Sequence, residues 1–192
     1  MYEVLATYKG VVPMMMDKFF DMTQIDRPTK KSKEAWKDEL ILKCHHDKKG
    51  IFVPADNIRM MIVGSQQRVG AARILGSFIE KNKATQYVSF AEGCIWVLGL
   101  DDPQRCYIDP ARKVYDDYDE RSFPMKTGGR QLTRRPIVKV PWSVRFKVQV
   151  TDDSYSPEKV RQFFEVAGLR CGMCAYGPTF GRCIIDKWEL QK

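Results

Sequence analysis

Apolar and polar side chains alternate without error from Ser143 to Val150, with Val144, Phe146, Val148 and Val150 on one face and Ser143, Arg145, Lys147 and Gln149 on the other. A period of two is that of a strand with one face buried, so this segment predicts a core strand whose opposite face is polar and cationic. A less regular alternation, Tyr2, Val4, Ala6 and Tyr8 against Glu3, Leu5, Thr7 and Lys9, predicts a first strand that ends at Gly10. Cys94–Leu98 reads as a buried strand, and Arg182–Leu190 as the last one.

Helical spacing is clearest after Ser156–Pro157, a helix-start pair, where Val160, Phe163, Phe164 and Ala167 form an apolar stripe that Gly168 is expected to stop. Those aromatic residues are expected to cover the apolar face of Ser143–Val150. Ser32 is expected to cap a short helix over Lys33–Lys43. Ile51–Val53 is a short apolar piece ended by Pro54, after which Asp56 is expected to cap a helix with Ile58, Met61, Ile62 and Ser65 on one face. Gly64 and Gly70 interrupt it, so Asp56–Lys81 is either one broken helix or two in succession.

Asp101–Pro141 is rich in turn and aromatic residues, and Lys126–Arg130, with Gly128–Gly129, reads as a hairpin tip. With this excursion set aside, the order is strand, helix, strand, strand, helix, strand. That order is the split βαβ arrangement of ferredoxin-like and RRM-like α+β domains. The expectation is one domain over residues 1–192, with insertions at about 11–50 and 101–141 and a basic, thumb-like β-hairpin.

Charge changes this picture. The chain carries a formal net charge of +8, which favours acidic partners but also serves solubility. Its distribution is uneven. Asp101–Glu120 holds seven acidic against three basic residues, whereas Lys126–Lys139 holds five basic and no acidic residues. Smaller basic groups stand at Arg27–Lys33 and Lys43–Lys49, with a solvated loop as the alternative reading. The six cysteines are scattered along a chain long enough to bury a core without staples, which suits free thiols in a reducing, cytoplasmic setting. The apolar runs are too short to span a bilayer, and a signal peptide is not expected.

The strand end Gly10–Pro13, the segment Gly50–Arg59, the basic hairpin around Gly128–Gly129 and the glycine-rich stretches Ala167–Gly172 and Gly177–Arg182 resemble the repeat-associated (RAMP) superfamily, especially the backbone subunits of CRISPR effector complexes and related small proteins of bacterial viruses. The first is the strand ending in Gly10-Val11-Val12-Pro13. The second is Gly50-Ile51-Phe52-Val53-Pro54-Ala55-Asp56-Asn57-Ile58-Arg59, similar to that family's proline-led helix entry, although Ala55, Asp56 and Asn57 stand where a glycine and small hydroxyl residues are usual. The third is the basic hairpin between the second and third core strands. The fourth is Ala167–Gly172 with Gly177–Arg182, similar to the glycine-rich loop before the final strand. The resemblance implies a cytoplasmic binder of single-stranded RNA or DNA, RNA favoured, whose subunits assemble side by side or join a larger nucleoprotein complex.

The residues expected to meet nucleic acid are Arg145 and Lys147 on the sheet, Lys126, Arg130, Arg134 and Arg135 on the hairpin, and Arg59 and Arg182. Cations along a strand supply salt-dependent phosphate affinity, and arginine's planar fork pairs with phosphate or stacks on a base. An ordinary solvated face is the plain alternative for each group. Cys171 and Cys174 have the spacing of half a zinc site, and a closed site needs a second half, so no metal and no cofactor are expected. His45 and His46 are the only histidines, in a polar turn, and give a second alternative of RNA cleavage. The first alternative is an interaction module that acts on a nucleic-acid-binding complex. The leading expectation has no catalytic residues.

Overall fold

A strand with one perfect apolar face needs partners on both edges and a layer over that face, and Ser143–Val150 has both. The computed structural model describes residues 1–20, 36–124 and 128–191. Its strands are β1 (Tyr2–Gly10), β2 (Met14–Met15), β3 (Phe52–Pro54), β4 (Gly64–Ser65), β5 (Arg68–Val69), β6 (Ile95–Leu98), β7 (Arg105–Asp109), β8 (Asp117–Pro124), β9 (Arg130–Val138), β10 (Ser143–Val150) and β11 (Cys183–Gln191). The helices are α1 (Trp36–Leu42), α2 (Ala55–Val63), α3 (Ala71–Ile74), α4 (Ala84–Cys94) and α5 (Pro157–Val166). The architecture is mixed α+β, and every pairing between these strands is antiparallel.

The main sheet has six strands in the order β11-β1-β10-β7-β3, with β6 also paired to β10. β6 and β7 share one edge of β10, since Leu98 lies opposite Lys147 and Asp109 opposite Ser143. β7, within the segment read as an excursion, is therefore part of this sheet. β8 and β9 form the expected hairpin and pair with β2 in a second, three-stranded sheet. Gly128 and Gly129 at its tip have φ of +84° and +82°, a region that costs other residues.

The helices cover the apolar face. Phe146 stacks on Phe164 with ring centroids 5.8 Å apart, and Tyr8, 5.1 Å from Phe146, donates its hydroxyl to the Phe164 carbonyl at 2.7 Å. The stripe of α5 thus meets the face of β10 as its spacing required. The Ser156 hydroxyl accepts from the Lys159 amide at 3.3 Å, the cap expected there.

Several local expectations are corrected. Asp56 lies in the first turn of α2, and the capping position is Pro54, whose extended backbone (φ −56°, ψ 135°) makes no side-chain bond. The stretch after α2 opens with a small hairpin, β4–β5, before α3 and the π-helical turn Leu75–Ile79. α4 follows from Ala84, in a stretch for which no helix was expected. Gly168 does not stop α5, because the chain continues through a π-helical turn, Ala167–Cys171, to Gly172 at φ +71°. Gly168 instead permits close approach, since a Cβ there would stand 2.4 Å from the Cys183 carbonyl oxygen. The expected cap Ser32 and the basic group Arg27–Lys33 lie outside the described residues. No helix among the described residues is long and apolar enough to cross a membrane.

Candidate nucleic-acid interface

Alternation sends Arg145 and Lys147 to the face of the sheet away from the helices, and pairing decides what surrounds them. Arg145 stands opposite Thr7 on β1, and Thr7 opposite Lys187 on β11. One row across three strands thus reads cation, threonine, cation. Neighbouring strands lie about 4.8 Å apart, so the row is about 10 Å wide. Lys9 follows two residues along β1, opposite Ile184, and the Val11 amide donates to the Arg182 carbonyl at 2.9 Å, which continues the ladder. Lys9, Arg145, Lys187 and Arg182 form no ion pair among the described residues. Asp186, the extra residue where the register shifts, and Asp109, two strands from Lys9, form none either.

The other end of the same face is neutralised. Lys147 pairs with Glu3 at 3.0 Å, and Glu3 also accepts from the Gln149 amide at 3.3 Å. Leu98 and Trp96 flank this end on β6, and Trp96 is 45% exposed. Arg59 reaches this margin from α2. Its guanidinium donates to the carbonyls of Ile95 at 2.9 Å and Glu92 at 2.7 Å and lies 4.7 Å from the Trp96 ring. Those bonds cap the carboxy-terminal end of α4.

The hairpin arginines are engaged. Arg134 pairs with Glu120 at 2.5 Å and lies over Trp36 at 4.5 Å. Arg135 pairs with Asp17 at 2.6 Å, lies 4.9 Å from the Tyr176 ring and has a side chain only 13% exposed. Arg130, at the tip, is exposed and donates to the Ser122 hydroxyl at 2.9 Å. Lys126 lies outside the described residues. Lys43, whose ammonium donates to the Arg134 carbonyl at 2.6 Å, has its pKa lowered chiefly by burial.

The candidate acid–base and metal residues are not brought together. Burial, with Lys18 nearby, pushes His45 down to about 4, so its imidazole is neutral at pH 7. The His46 Nδ1 lies 3.3 Å from the Cys44 carbonyl. Asp47 is held at about 2, first by the Tyr107 hydroxyl, which donates to it at 2.6 Å. The Cys171 thiol donates to the Val69 carbonyl at 3.7 Å, while the Cys174 thiol meets the Met14 sulfur at 3.6 Å. Among the described residues no group of three or more histidine, cysteine or acidic side chains is placed to hold a metal.

Sequence reasoning missed Lys9, Lys187 and Trp96 as members of this face. The signal for Lys9 was its place in the alternation of β1; for Lys187 the register shift between Thr7 and Tyr8 hides the pattern. No family model matches the chain, and no curated protein matches it.

Proposed function

We propose that this protein binds single-stranded nucleic acid, RNA in preference to DNA, on the solvent face of its main sheet, and performs no chemistry on it. The observation that carries this reading is the group Lys9, Arg145, Lys187 and Arg182, cations on one end of an open sheet face that form no ion pair among the described residues. Phosphates fill such a row because each contact releases a condensed counterion. Trp96, four residues along the β10 register from the Arg145 row, stands about 13 Å away and offers a stacking surface.

The topology supports the same reading. The order β11-β1-β10-β6 has helices between β1 and β6 and between β10 and β11, and we take it as a ferredoxin-like core of the kind that presents single strands to a sheet. A kinship with RAMP backbone subunits, assembly side by side along a strand and a cytoplasmic setting belong to this proposal. The free state of all six cysteines fits a reducing compartment.

Fluorescence anisotropy with labelled single-stranded RNA, single-stranded DNA and duplex, at several salt concentrations, is the test. The expected result is tighter binding to single strands, with affinity that falls steeply as salt rises. The absence of salt-dependent binding to every oligonucleotide would overturn the proposal in favour of a protein-interaction module. Cleavage of the RNA that disappears in His45→Ala would overturn it in favour of a nuclease.

A further inference from the structure

The segment Met16–Phe19, α2, the β4–β5 hairpin and the loop Arg170–Pro178 enclose a cavity of about 600 Å³. That volume is ordinary for a small-molecule site. Because α2 packs against the buried face of the sheet, the cavity is a separate surface from the cationic sheet face.

Its lining carries two chemistries. Met60, Met61 and Val69 supply apolar surface to the cavity, and Met60 and Val69 are respectively 38% and 57% exposed. Methionine is a deformable, polarisable surface that suits the face of a flat ring. Lys18, Arg68 and Arg170 line the same cavity. The acid that lines the cavity, Asp17, is already engaged by Arg135 at 2.6 Å. The lining therefore combines apolar surface with cations that form no ion pair among the described residues.

The lining is also fixed in place. Arg68 donates one Nη to the Cys174 carbonyl at 2.8 Å, which anchors the guanidinium against the loop and leaves its other donors without a bond among the described residues. The loop is close-packed, since a Cβ on Gly177 would stand 2.0 Å from the Cys171 carbonyl oxygen. The half-buried Asn57 and the exposed Ser65 add polar groups able to meet the edge of a base. A long acyl chain would leave the arginines unpaired, and a bare phosphate would leave the apolar surface exposed.

We infer that this cavity binds one nucleoside monophosphate unit, with the base against Met60 and Val69 and the phosphate on Arg68 and Arg170. This goes beyond the sheet-face reading and does not depend on it.

The test is titration of the full chain with the fluorescent probe 2-aminopurine riboside 5′-monophosphate. Saturable binding is expected, displaced by adenosine 5′-monophosphate and at least about tenfold less well by adenosine or inorganic phosphate alone, because each satisfies one chemistry only. Arg170→Glu, at an exposed position, and Met60→Trp, which fills the apolar surface, should each weaken binding by about tenfold or more with the thermal transition retained. The sheet-face variant Lys9→Ala/Arg145→Ala/Lys187→Ala should leave probe binding unchanged. Lack of saturable binding, equal affinity in folded Arg170→Glu, or loss in the sheet-face variant would each overturn the inference. Probe binding without any strand binding would overturn the sheet-face proposal and uphold this one.

Discussion

On the hairpin β8–β9, Arg121, Arg134 and Arg135 each lie against a carboxylate and over an aromatic ring, whereas on the sheet face Lys9, Arg145 and Lys187 have neither among the described residues. Register explains part of the difference: Arg134 meets Glu120 across the hairpin, while Arg121 takes Asp119 two residues away on its own strand and Arg135 takes Asp17 from outside the hairpin. Asp119 stands opposite Arg135 and Glu120 opposite Arg134, so the acidic run before the tip and the basic run after it face each other as one antiparallel pair. Cross-strand opposite charges stabilise such a pair and cancel its field. Across the sheet, by contrast, Arg145 meets a threonine, and the next strand adds another cation. Clustering of cations along a sequence therefore says little about free charge until the strand opposite each cation is known.

The widest separation of the two regions comes from Lys9→Ala/Arg145→Ala/Lys187→Ala. Three lost phosphate contacts should flatten the salt slope by about two units and lower single-strand affinity on the order of 100-fold near physiological salt. Exposed side chains that bury little should cost no more than about 0.5 kcal/mol in a denaturation curve. Anisotropy and urea melts of the same preparation check both. An unchanged slope would remove the sheet face from the binding surface.

The opposite pattern is expected of Arg135→Ala. Its guanidinium is nearly buried between Asp17 and Tyr176, so truncation strands a carboxylate and strips one face of a ring. A loss of about 2 kcal/mol in stability is expected, below the full cost of a deeply buried pair because Asp17 keeps some access to water. The salt slope should not move. The basic hairpin is on this account a clasp between the second sheet and the glycine-rich loop, and among the described residues only Arg130, at its tip, projects freely enough to meet a strand.

These two variants mark how far the sequence is legible. The strands with one buried face, and α5 with its cap, follow from period and propensity because each needs only local information. The hairpin was legible too, but not its register: counting outward from Gly128–Gly129 would set Arg134 against Phe123 and Arg135 against Ser122, whereas the chain pairs them with Glu120 and Asp119, three residues away, so the neutralisation of Arg134 by Glu120 was hidden. Asp17 and Tyr176 as partners of Arg135 were not legible, since they meet it through tertiary contacts across long separations in the chain. The same holds for α4. Its buried residues Tyr87, Phe90 and Ala91 sit among polar neighbours, and Gly93 weakens the pattern. The face of β11 was obscured by the register shift that displaces Asp186.

A third place asks whether the fold registers a new charge near its cations. His45 is held near 4 by burial and then by Lys18, against an ordinary value of 6.5. The folded state therefore prefers the neutral imidazole. Its contribution is fully present above pH 6.5 and is lost as pH falls from there toward 4, because the unfolded chain takes up the proton first. A loss of about 1–2 kcal/mol across that window is expected, reduced from the full linkage value by partial access to solvent. Urea melts at pH 7.5 and 4.5 should show it in the wild type and not in His45→Gln. An equal decline in both would mean that His45 is not the group that titrates.

The smallest effect tests the comparison in the direction of gain. Lys147 lies on the same face as Arg145 yet is paired with Glu3 at 3.0 Å, so in the native protein it behaves as the hairpin arginines do. Glu3→Gln keeps a side chain able to bond Gln149 and removes the charge. If pairing is what silences a cation, Lys147 becomes available to one further phosphate, and the salt slope should steepen by about 0.7. Affinity should rise two- to threefold, roughly 0.5 kcal/mol, since an exposed ion pair is worth little and its loss costs the fold correspondingly little. Lys147→Ala in the wild-type background should change affinity less than Lys147→Ala in the Glu3→Gln background, and the difference between the two is the coupling energy. A coupling of zero would mean that Glu3 does not mask Lys147, and that the boundary between the neutral and the open end of the sheet face is set by something other than ion pairing.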